Sequence, residues 1–325
     1  MLFDDIPEPV LITGAGGFIG SHLVDLCLDL GISVKAFFRY SSTSSLGWLY
    51  NNKNTFEKIF GDIRDLSSVV RGMRGCKSVI HLGALISIPY SYQDPKSYID
   101  TNIIGTYNIL EGARVSKLER LVISSTSETY GTAQYTPIDE KHPINSQSPY
   151  AASKAAADQL ALSYHRSFGV PVSIARPFNT YGPRQSTRAI IPSVIRQLLK
   201  ASKVFVGNTH TTRDFTYVTD TARGLLSILN SKNLVGTCTN IGTNAEISIE
   251  ELILKIACII GKEPEIFVDE SKKRPALSEV DQLWCNNNKI INTTLWKPEV
   301  SLSLGLEKTI QFVKENAAMY EFEAI

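Results

Sequence analysis

Cysteine is scarce in this chain, with five thiols in 325 residues. Cys27, Cys76, Cys238, Cys258 and Cys285 are odd in number, widely separated and never in CxxC spacing. The pattern suggests neither a disulfide framework nor a zinc or other metal site, and the thiols read as buried or idle. A charge surplus is missing too. Lys plus Arg total 33 against 32 for Asp plus Glu, which leaves no global field to draw nucleic acid or an acidic membrane surface. An anionic partner must therefore be met locally. No apolar run approaches membrane-spanning length, and the opening stretch through Asp4, Asp5, Pro7, Glu8 and Pro9 has no basic segment followed by an apolar one. The expectation is a cytoplasmic protein with neither nucleic acid nor membrane as partner. Internal repeats, low-complexity tracts and long linkers are absent as well.

What is present is a core-forming composition with α/β alternation. Hydrophobic residues make up 43% of the chain, and its length accommodates two domains of about 150 residues each. Apolar runs at Val10–Thr13, Ser33–Phe38, Ser78–Leu82, Arg120–Ser124 and Val172–Arg176 alternate with amphipathic stretches such as Phe18–Leu30. This is the pattern of a parallel sheet wound with helices on both faces. Gly31 is placed to stop the first helix as a C′ glycine. Beyond Asn179 the texture shifts toward Pro, Thr, Asn and charge, with helical segments near Ile190–Ala201, Ile249–Gly261 and Leu304–Asn316. That reads as a smaller second lobe, packed closely on the first with a cleft between them.

Between the first strand and the first helix lies Thr13-Gly14-Ala15-Gly16-Gly17-Phe18-Ile19-Gly20. Gly14, Gly17 and Gly20 allow a tight turn, close approach to a pyrophosphate and close packing of helix on strand, while the helix N-terminus faces negative charge. A glycine-rich turn can be purely structural, but its position between an apolar strand and an amphipathic helix favours a dinucleotide site. Folds that bind NAD often carry an acid about 20 residues further on for the ribose 2′-hydroxyl. Here that neighbourhood is Phe38-Arg39-Tyr40-Ser41-Ser42, a cation and hydroxyls suited to a 2′-phosphate. NADP is the expected cofactor, with NAD the close alternative if Arg39 is solvated or stacks on adenine. Asp62-Ile63, after the third expected strand, reads either as an adenine contact or as a helix cap.

Tyr150 and Lys154 stand four residues apart in the helical stretch Tyr-Ala-Ala-Ser-Lys-Ala-Ala-Ala-Asp and project from one face. An ammonium beside a phenol favours the phenolate, so the pair is expected to lower the tyrosine pKa from its reference of about 10 and give a base usable near neutral pH. Ser125 and Thr126, at the end of a strand, are expected to bring hydroxyls to the reacting oxygen.

GxxGxxG from Gly14, Asp62-Ile63, His81-Leu82-Gly83-Ala84, Asn102 with Gly105-Thr106, Ser124-Ser125-Thr126, the Tyr150 and Lys154 pair, Arg176-Pro177-Phe178-Asn179 and Arg213-Asp214-Phe215 follow one another in order. Together they resemble the extended short-chain dehydrogenase/reductase family over nearly the whole chain. The resemblance implies a doubly wound parallel-sheet Rossmann domain over residues 1–178, to which segments from about 212 to 242 return, and a smaller α/β nucleotide-sugar lobe over 179–325. It implies a cofactor held by Gly14, Gly17, Phe18, Ile19, Gly20, Arg39, Asp62, Ile63, Leu82, Ala84, Tyr150, Lys154 and Pro177. It also implies a nucleotide-diphosphate sugar held through Ser87, Asn179, Arg184, Arg213, Arg274 and Glu279, and a homodimer formed through helices that include the Tyr150 helix.

Within that family Glu128, in Ser125-Thr126-Ser127-Glu128-Thr129-Tyr130-Gly131, is the discriminating residue. Sugar 4-epimerases typically carry small residues there; the segment resembles the Thr-Ser-Glu of GDP-mannose 4,6-dehydratases, whereas dTDP-glucose 4,6-dehydratases usually have Thr-Asp-Glu. Elimination needs a carboxylate, because oxidation of C4 to a ketone makes the C5 proton acidic and open to a positioned base. The implied mechanism has Tyr150, aided by Thr126 and Lys154, take the C4 hydroxyl proton as hydride leaves. Glu128 then takes the C5 proton, water departs from C6 with a proton from Glu128 or help from Ser127, and hydride returns to C6. The competing reading makes Glu128 a structural ion-pair residue.

Softer motifs, namely Ala84–Tyr92, Trp48 after a Ser-rich loop and Arg176–Gln185, resemble the NDP-N-acetylglucosamine 4,6-dehydratases of legionaminic acid pathways. Arginine forks suit phosphate oxygens at Arg184, Arg213 and Arg274, although Arg274 beside Lys272 and Lys273 also reads as a solvated basic run, and Glu279 suits ribose hydroxyls. Two alternatives stand against dehydration. One is a sugar 4-epimerase, which shares the cofactor residues without needing the carboxylate. The other is a catalytically silent dinucleotide-binding sensor, a class that commonly lacks the Tyr or the Lys.

Overall fold

The structure, a computed structural model, describes residues 3–52 and 54–321. Strand β1 (Val10–Thr13), buried along its whole length, runs into helix α1 (Phe18–Asp29), and Gly31 follows in the left-handed conformation at φ +74° that ends a helix. Next come β2 (Val34–Arg39), β3 (Glu57–Gly61), α2 (Leu66–Met73) and β4 (Ser78–His81). Two short helices, α3 (Ile88–Gln93) and α4 (Pro95–Tyr98), lead through a π-helical turn at Ile99–Ile104 into α5 (Gly105–Ser116). Then follow β5 (Arg120–Ser124), the long α6 (Pro149–Phe168) and β6 (Val172–Pro177).

The remainder contains β7 (Asn179–Tyr181), α7 (Ile190–Lys200), β8 (Lys203–Val206), β9 (Thr212–Arg213), β10 (Phe215–Tyr217), α8 (Val218–Asn230) and β11 (Cys238–Ile241). It continues with β12 (Ile247–Ser248), α9 (Ile249–Ile260), β13 (Glu265–Val268), β14 (Gln282–Leu283), α10 (Asn288–Thr293), α11 (Leu302–Glu315) and α12 (Ala317–Glu321).

Seven strands form one parallel sheet in the order β11-β6-β5-β4-β1-β2-β3. Thr13 pairs with Phe37 of β2 on one side and with His81 of β4 on the other. The chain order reverses there, and an open sheet leaves a crevice beyond the carboxyl ends of its strands at such a point. Leu23, Val24 and Cys27 of α1 and Leu225, Leu226 and Leu229 of α8 cover one face, and Val69, Met73, Ile109, Leu110 and Ala161 of α2, α5 and α6 cover the other. Each aliphatic side chain fully buried this way contributes roughly 1.5–3 kcal/mol. Burial of this kind, more than helix propensity, fixes the layers.

A second core joins Val194, Ile195 and Leu198 of α7 to Leu252, Ile253 and Ile256 of α9 and to Leu306, Ile310 and Val313 of α11. Helix α9 starts at a reciprocal capping box between Ser248 and Glu251. Trp48, in the loop after β2, meets Phe312 edge-on at 5.7 Å and so links the sheet domain to this second core. Among the described residues no helix is long and apolar enough to cross a membrane. All five cysteines are unpaired, with Cys27, Cys76 and Cys285 buried and Cys258 exposed.

Candidate active site

The glycine turn between β1 and α1 is shaped by backbone contacts that leave no room for side chains. Gly14 has φ +69°, and a Cβ there would lie 3.0 Å from the backbone of Leu82 and Gly83. A Cβ on Gly20 would lie 2.1 Å from the Gly14 carbonyl oxygen. Gly17 occupies the N-cap of α1 without any side-chain cap, and the first turn, which carries Phe18 and Ile19, contains no acid. Helix N-terminal N–H groups otherwise need a partner, and an uncapped, glycine-lined N-terminus fits the pyrophosphate of a dinucleotide. Gly20→Ala is expected to weaken dinucleotide binding at least about tenfold, or 1.4 kcal/mol, and to lower the melting temperature; fluorescence titration with reduced dinucleotide and a thermal melt check both.

Around this turn the other candidate cofactor residues take distinct places. The Thr13 hydroxyl accepts from the N–H groups of Leu82 and Gly83, both at 3.1 Å, and shares a hydrogen with His81 Nδ1 at 2.7 Å, which fixes the segment carrying Leu82 and Ala84. Arg39 ends β2 exposed to solvent. Asp62 is not a helix cap: Asp65 caps α2, accepting from Ser67 and Ser68. The Asp62 carboxylate is instead gripped by Arg64, through Nε at 3.0 Å and a terminal nitrogen at 2.6 Å, which holds it below the usual carboxylate range. Ile63 packs so closely on Gly105 that a Cβ there would come within 2.9 Å of its Cδ1. Pro177 ends β6, buried beside Ile241 of β11.

Ser148 caps α6 and Pro149 occupies its first turn, which sets Tyr150 and Lys154 one helical turn apart on a buried face. They are only 8% and 3% exposed. Tyr98 meets the Tyr150 ring edge-on at 6.2 Å. Burial raises the Tyr150 phenol above its ordinary value, opposed by a hydrogen bond with the Thr126 side chain. The expectation that the ammonium of Lys154 lowers the Tyr150 pKa to give a base near neutral pH is not met in the chain by itself: desolvation raises the phenol, and Lys154 is not among the groups that act on it. The same burial lowers Lys154 to about 8, with Asp158 pulling upward.

Beside this pair a 3₁₀ turn, Ser127–Tyr130, is capped by Thr126, whose hydroxyl accepts from the Glu128 N–H at 3.3 Å. The Glu128 carboxylate, on a residue 8% exposed, lies 3.3 Å from a terminal nitrogen of Arg274. Arg274 Nε is 3.8 Å from Glu279, and a terminal nitrogen of Arg213 is 3.9 Å from the same carboxylate. Glu128 thus does make an ion pair, but with a residue expected to meet substrate. Arg274 turns inward while Lys272 and Lys273 pair with Asp269 and Glu270. Arg213 is anchored to the backbone carbonyls of Thr212, Val280 and Asp281, and Glu279 also accepts from Asn208 at 2.7 Å.

The remaining candidates are more scattered. Arg184, at φ +70°, is held by Asp25 of α1 at 2.7 Å and not by the Glu128 and Glu279 cluster. Ser87 caps α3 and its carbonyl accepts from the Tyr98 hydroxyl. Asn179 opens β7, its N–H donating to the Asp214 carbonyl. Ser125 is a correction: its buried hydroxyl donates to Asp158 at 2.8 Å and so is turned toward the protein interior. Thr13, Asp158 and Arg176 were missed as site-shaping residues. For Asp158 the spacing was available, one turn beyond Lys154; for Arg176 nothing in sequence reveals its partner.

Residues 11–309 match the family described as GDP-mannose 4,6 dehydratase. A putative UDP-glucose 4-epimerase of Methanocaldococcus jannaschii is 34% identical over 317 residues, which cover 94% of this chain and 99% of that protein. A dTDP-D-glucose 4,6-dehydratase of Bos taurus is 31% identical over 96% of this chain and 90% of its own length. A double mutant of the dTDP-glucose 4,6-dehydratase of Streptomyces venezuelae, solved with NAD bound, superposes with a TM-score of 0.87 at 27% identity, covering 97% of this chain and 100% of that one. The glycine cradle, the seven-stranded parallel sheet and these matches agree: the chain belongs to the nucleotide-sugar 4,6-dehydratase and epimerase family of the extended short-chain dehydrogenases/reductases, enzymes that work with a nicotinamide dinucleotide.

Proposed function

We propose that the chain is a nucleotide-sugar 4,6-dehydratase, a lyase that converts an NDP-N-acetylglucosamine to its 4-keto-6-deoxy product. The observation that carries this reading is Glu128, a buried carboxylate on the turn capped by Thr126, whose side chain meets the Tyr150 hydroxyl. A bound nicotinamide dinucleotide would supply a hydride acceptor in its oxidised form and a hydride donor in its reduced form, and the positive charge of the oxidised ring would favour the phenolate. Tyr150 accepts the C4 hydroxyl proton, with Thr126 and Lys154 stabilising the oxygen that results. Glu128 removes the C5 proton once C4 is a ketone, and the C6 hydroxyl leaves as water with a proton from Glu128 or help from Ser127. Residues 1–178, with 212–242 rejoining them, are assigned to the dinucleotide, and the rest of 179–325 to the nucleotide sugar. Asn179, Arg213, Arg274 and Glu279 are its nearest candidates, with Ser87 and Arg184 at the margins.

A second reading, 4-epimerisation, draws support from the Methanocaldococcus relative, but a buried carboxylate at position 128 has no part to play in simple inversion at C4. Incubation with a panel of UDP-, GDP-, CDP- and dTDP-hexoses, read by mass spectrometry, tests the proposal. Loss of one water supports it; an isomer of unchanged mass supports the epimerase, and no turnover of any sugar supports a silent sensor.

NADP is the proposed cofactor, because Arg39 and the hydroxyls of Ser41 and Ser42 stand at the end of β2 with no acid among them. Arg39→Ala is expected to weaken NADP binding about tenfold, as loss of one charge-assisted phosphate contact does, and to leave NAD binding within a factor of two or so; titration with both cofactors checks it. The unpaired cysteines suit a reducing compartment, the cytoplasm. A homodimer is proposed through the face of α5, α6 and the π-helical turn before α5, where Ile104, Tyr107, Val115 and Phe168 are exposed.

A further inference from the structure

We infer that Asp158 is a positioning residue for hydride transfer: its buried carboxylate keeps Lys154 protonated beside Tyr150 and, through Arg176, ties the helix carrying that pair to the turn carrying Glu128. This rests on the reading of Tyr150 and Lys154 as the hydride-transfer pair, and not on the later role of Glu128.

Asp158 lies four residues beyond Lys154 and eight beyond Tyr150, so all three occupy one face of α6. It is fully buried. One carboxylate oxygen accepts from the Ser125 hydroxyl at 2.8 Å and from Arg176 Nε and a terminal Arg176 nitrogen at 3.1 and 2.9 Å, whereas the other oxygen has no hydrogen-bond partner among the described residues. Arg176 also stacks over the Tyr130 ring at 4.8 Å, and the Tyr130 hydroxyl donates to Asn240 at 2.8 Å. Tyr130 closes the 3₁₀ turn that holds Glu128. One guanidinium therefore touches both the acid behind Lys154 and the aromatic ring behind Glu128.

Stability alone is a poor explanation for this arrangement. A buried ion pair often contributes no more than the apolar side chains that would fill the same volume. A field acting on Lys154 accounts for it. The charged groups that act with Lys154 are Asp158 on its own helix and His81 from β4, while Arg176 from β6 is paired with Asp158 and Glu128 of the 3₁₀ turn acts on Tyr150. Burial keeps His81 neutral, lowering it to about 3, so it does not serve as the counter-charge. Burial pushes the Asp158 carboxyl upward, but Arg176 at 2.9 Å, the Ser125 hydroxyl and Lys154 itself all favour its charged form, and one turn along the helix it is the acid that opposes desolvation of the Lys154 ammonium.

Removing the Asp158 charge lowers the Lys154 pKa further, so the ammonium is lost at lower pH and the alkaline limb of hydride transfer moves down. The test uses holoenzyme variants Asp158→Asn and Asp158→Glu, and a double variant Asp158→Asn/Arg176→Gln in case the single one leaves Arg176 uncompensated and unfolds. Two readouts serve: the pH profile of cofactor reduction on mixing with the panel sugar giving the largest absorbance change, and the lysine Cε titration by ¹³C NMR, which needs no substrate. With Asp158→Asn the limb and the Lys154 titration are expected to fall by about one pH unit, the scale of one nearby opposite charge, so that the rate at pH 8 drops roughly fivefold with little change in KM; the double variant, which also removes the Arg176 cation, is expected to fall in the same direction by less. Asp158→Glu is expected to restore both. A folded variant with the limb and titration of the parent overturns the inference. If Tyr150→Phe and Lys154→Met keep full hydride transfer, the proposed function itself fails; if they are inactive while Asp158→Asn behaves as the parent, only the inference on Asp158 fails.

Discussion

Glu128→Gln is expected to abolish 6-deoxy product while leaving oxidation at C4 in place. The amide matches the carboxylate in size and retains an oxygen for Arg274, which lies 3.3 Å away and keeps Glu279 as a second partner, so the fold and the substrate pocket should persist. What disappears is the base. General base catalysis by a placed side chain is worth about 10²–10⁴-fold, and the rate of water loss should fall by that factor. Hydride transfer to the cofactor depends on Tyr150 and Lys154 and should continue, so reduced cofactor is expected to accumulate to a level that the parent never reaches. Absorbance of the bound cofactor and NMR of the product measure the two halves separately. Undiminished formation of the C6 methyl group in the variant would remove Glu128 from the mechanism.

Tyr150→Phe is expected to stop the sequence one step earlier, with neither reduced cofactor nor product. The phenol is buried, its hydroxyl meets Thr126, and its pKa is raised by that burial. At neutral pH it is therefore protonated in the chain alone, and its work as a base requires cationic neighbours, Lys154 and the oxidised nicotinamide. The pH dependence follows from the two signs. Loss of the phenol proton favours reaction as pH rises, whereas loss of the Lys154 ammonium, held near 8, opposes it, which gives a bell-shaped profile. Removing the hydroxyl should lower the hydride-transfer rate about 10²–10⁴-fold at every pH, as measured by stopped-flow absorbance of cofactor reduction. A variant that keeps the rate of the parent would show that another group takes the C4 proton.

Much of this was legible in the sequence because it depends on local chemistry. The Val10–Thr13 strand, the Gly31 stop and the uncapped glycine turn are set by residues adjacent in the chain, and the structure places them where the pattern put them. Tyr150 and Lys154 followed from helical spacing. Contacts between distant segments were not legible. Arg274 turning from its two lysine neighbours to Glu128 depends on a partner 146 residues away. Ser125 was read as facing the reaction because it ends a strand, yet its hydroxyl meets Asp158 on α6. The tyrosine pKa was misjudged for a related reason: the charge four residues away is visible in sequence, whereas the apolar shell of Ile88 and Tyr98 around the phenol is assembled only on folding.

In the proposed reaction a hydride is borrowed from C4 and returned to C6 of the same sugar. An NDP-N-acetylglucosamine deuterated at C4, incubated with the enzyme and examined by NMR, tests it most directly. The deuterium is expected in the C6 methyl group of a 4-keto product; deuterium retained at C4 of an inverted sugar would contradict dehydration and make the chain an epimerase.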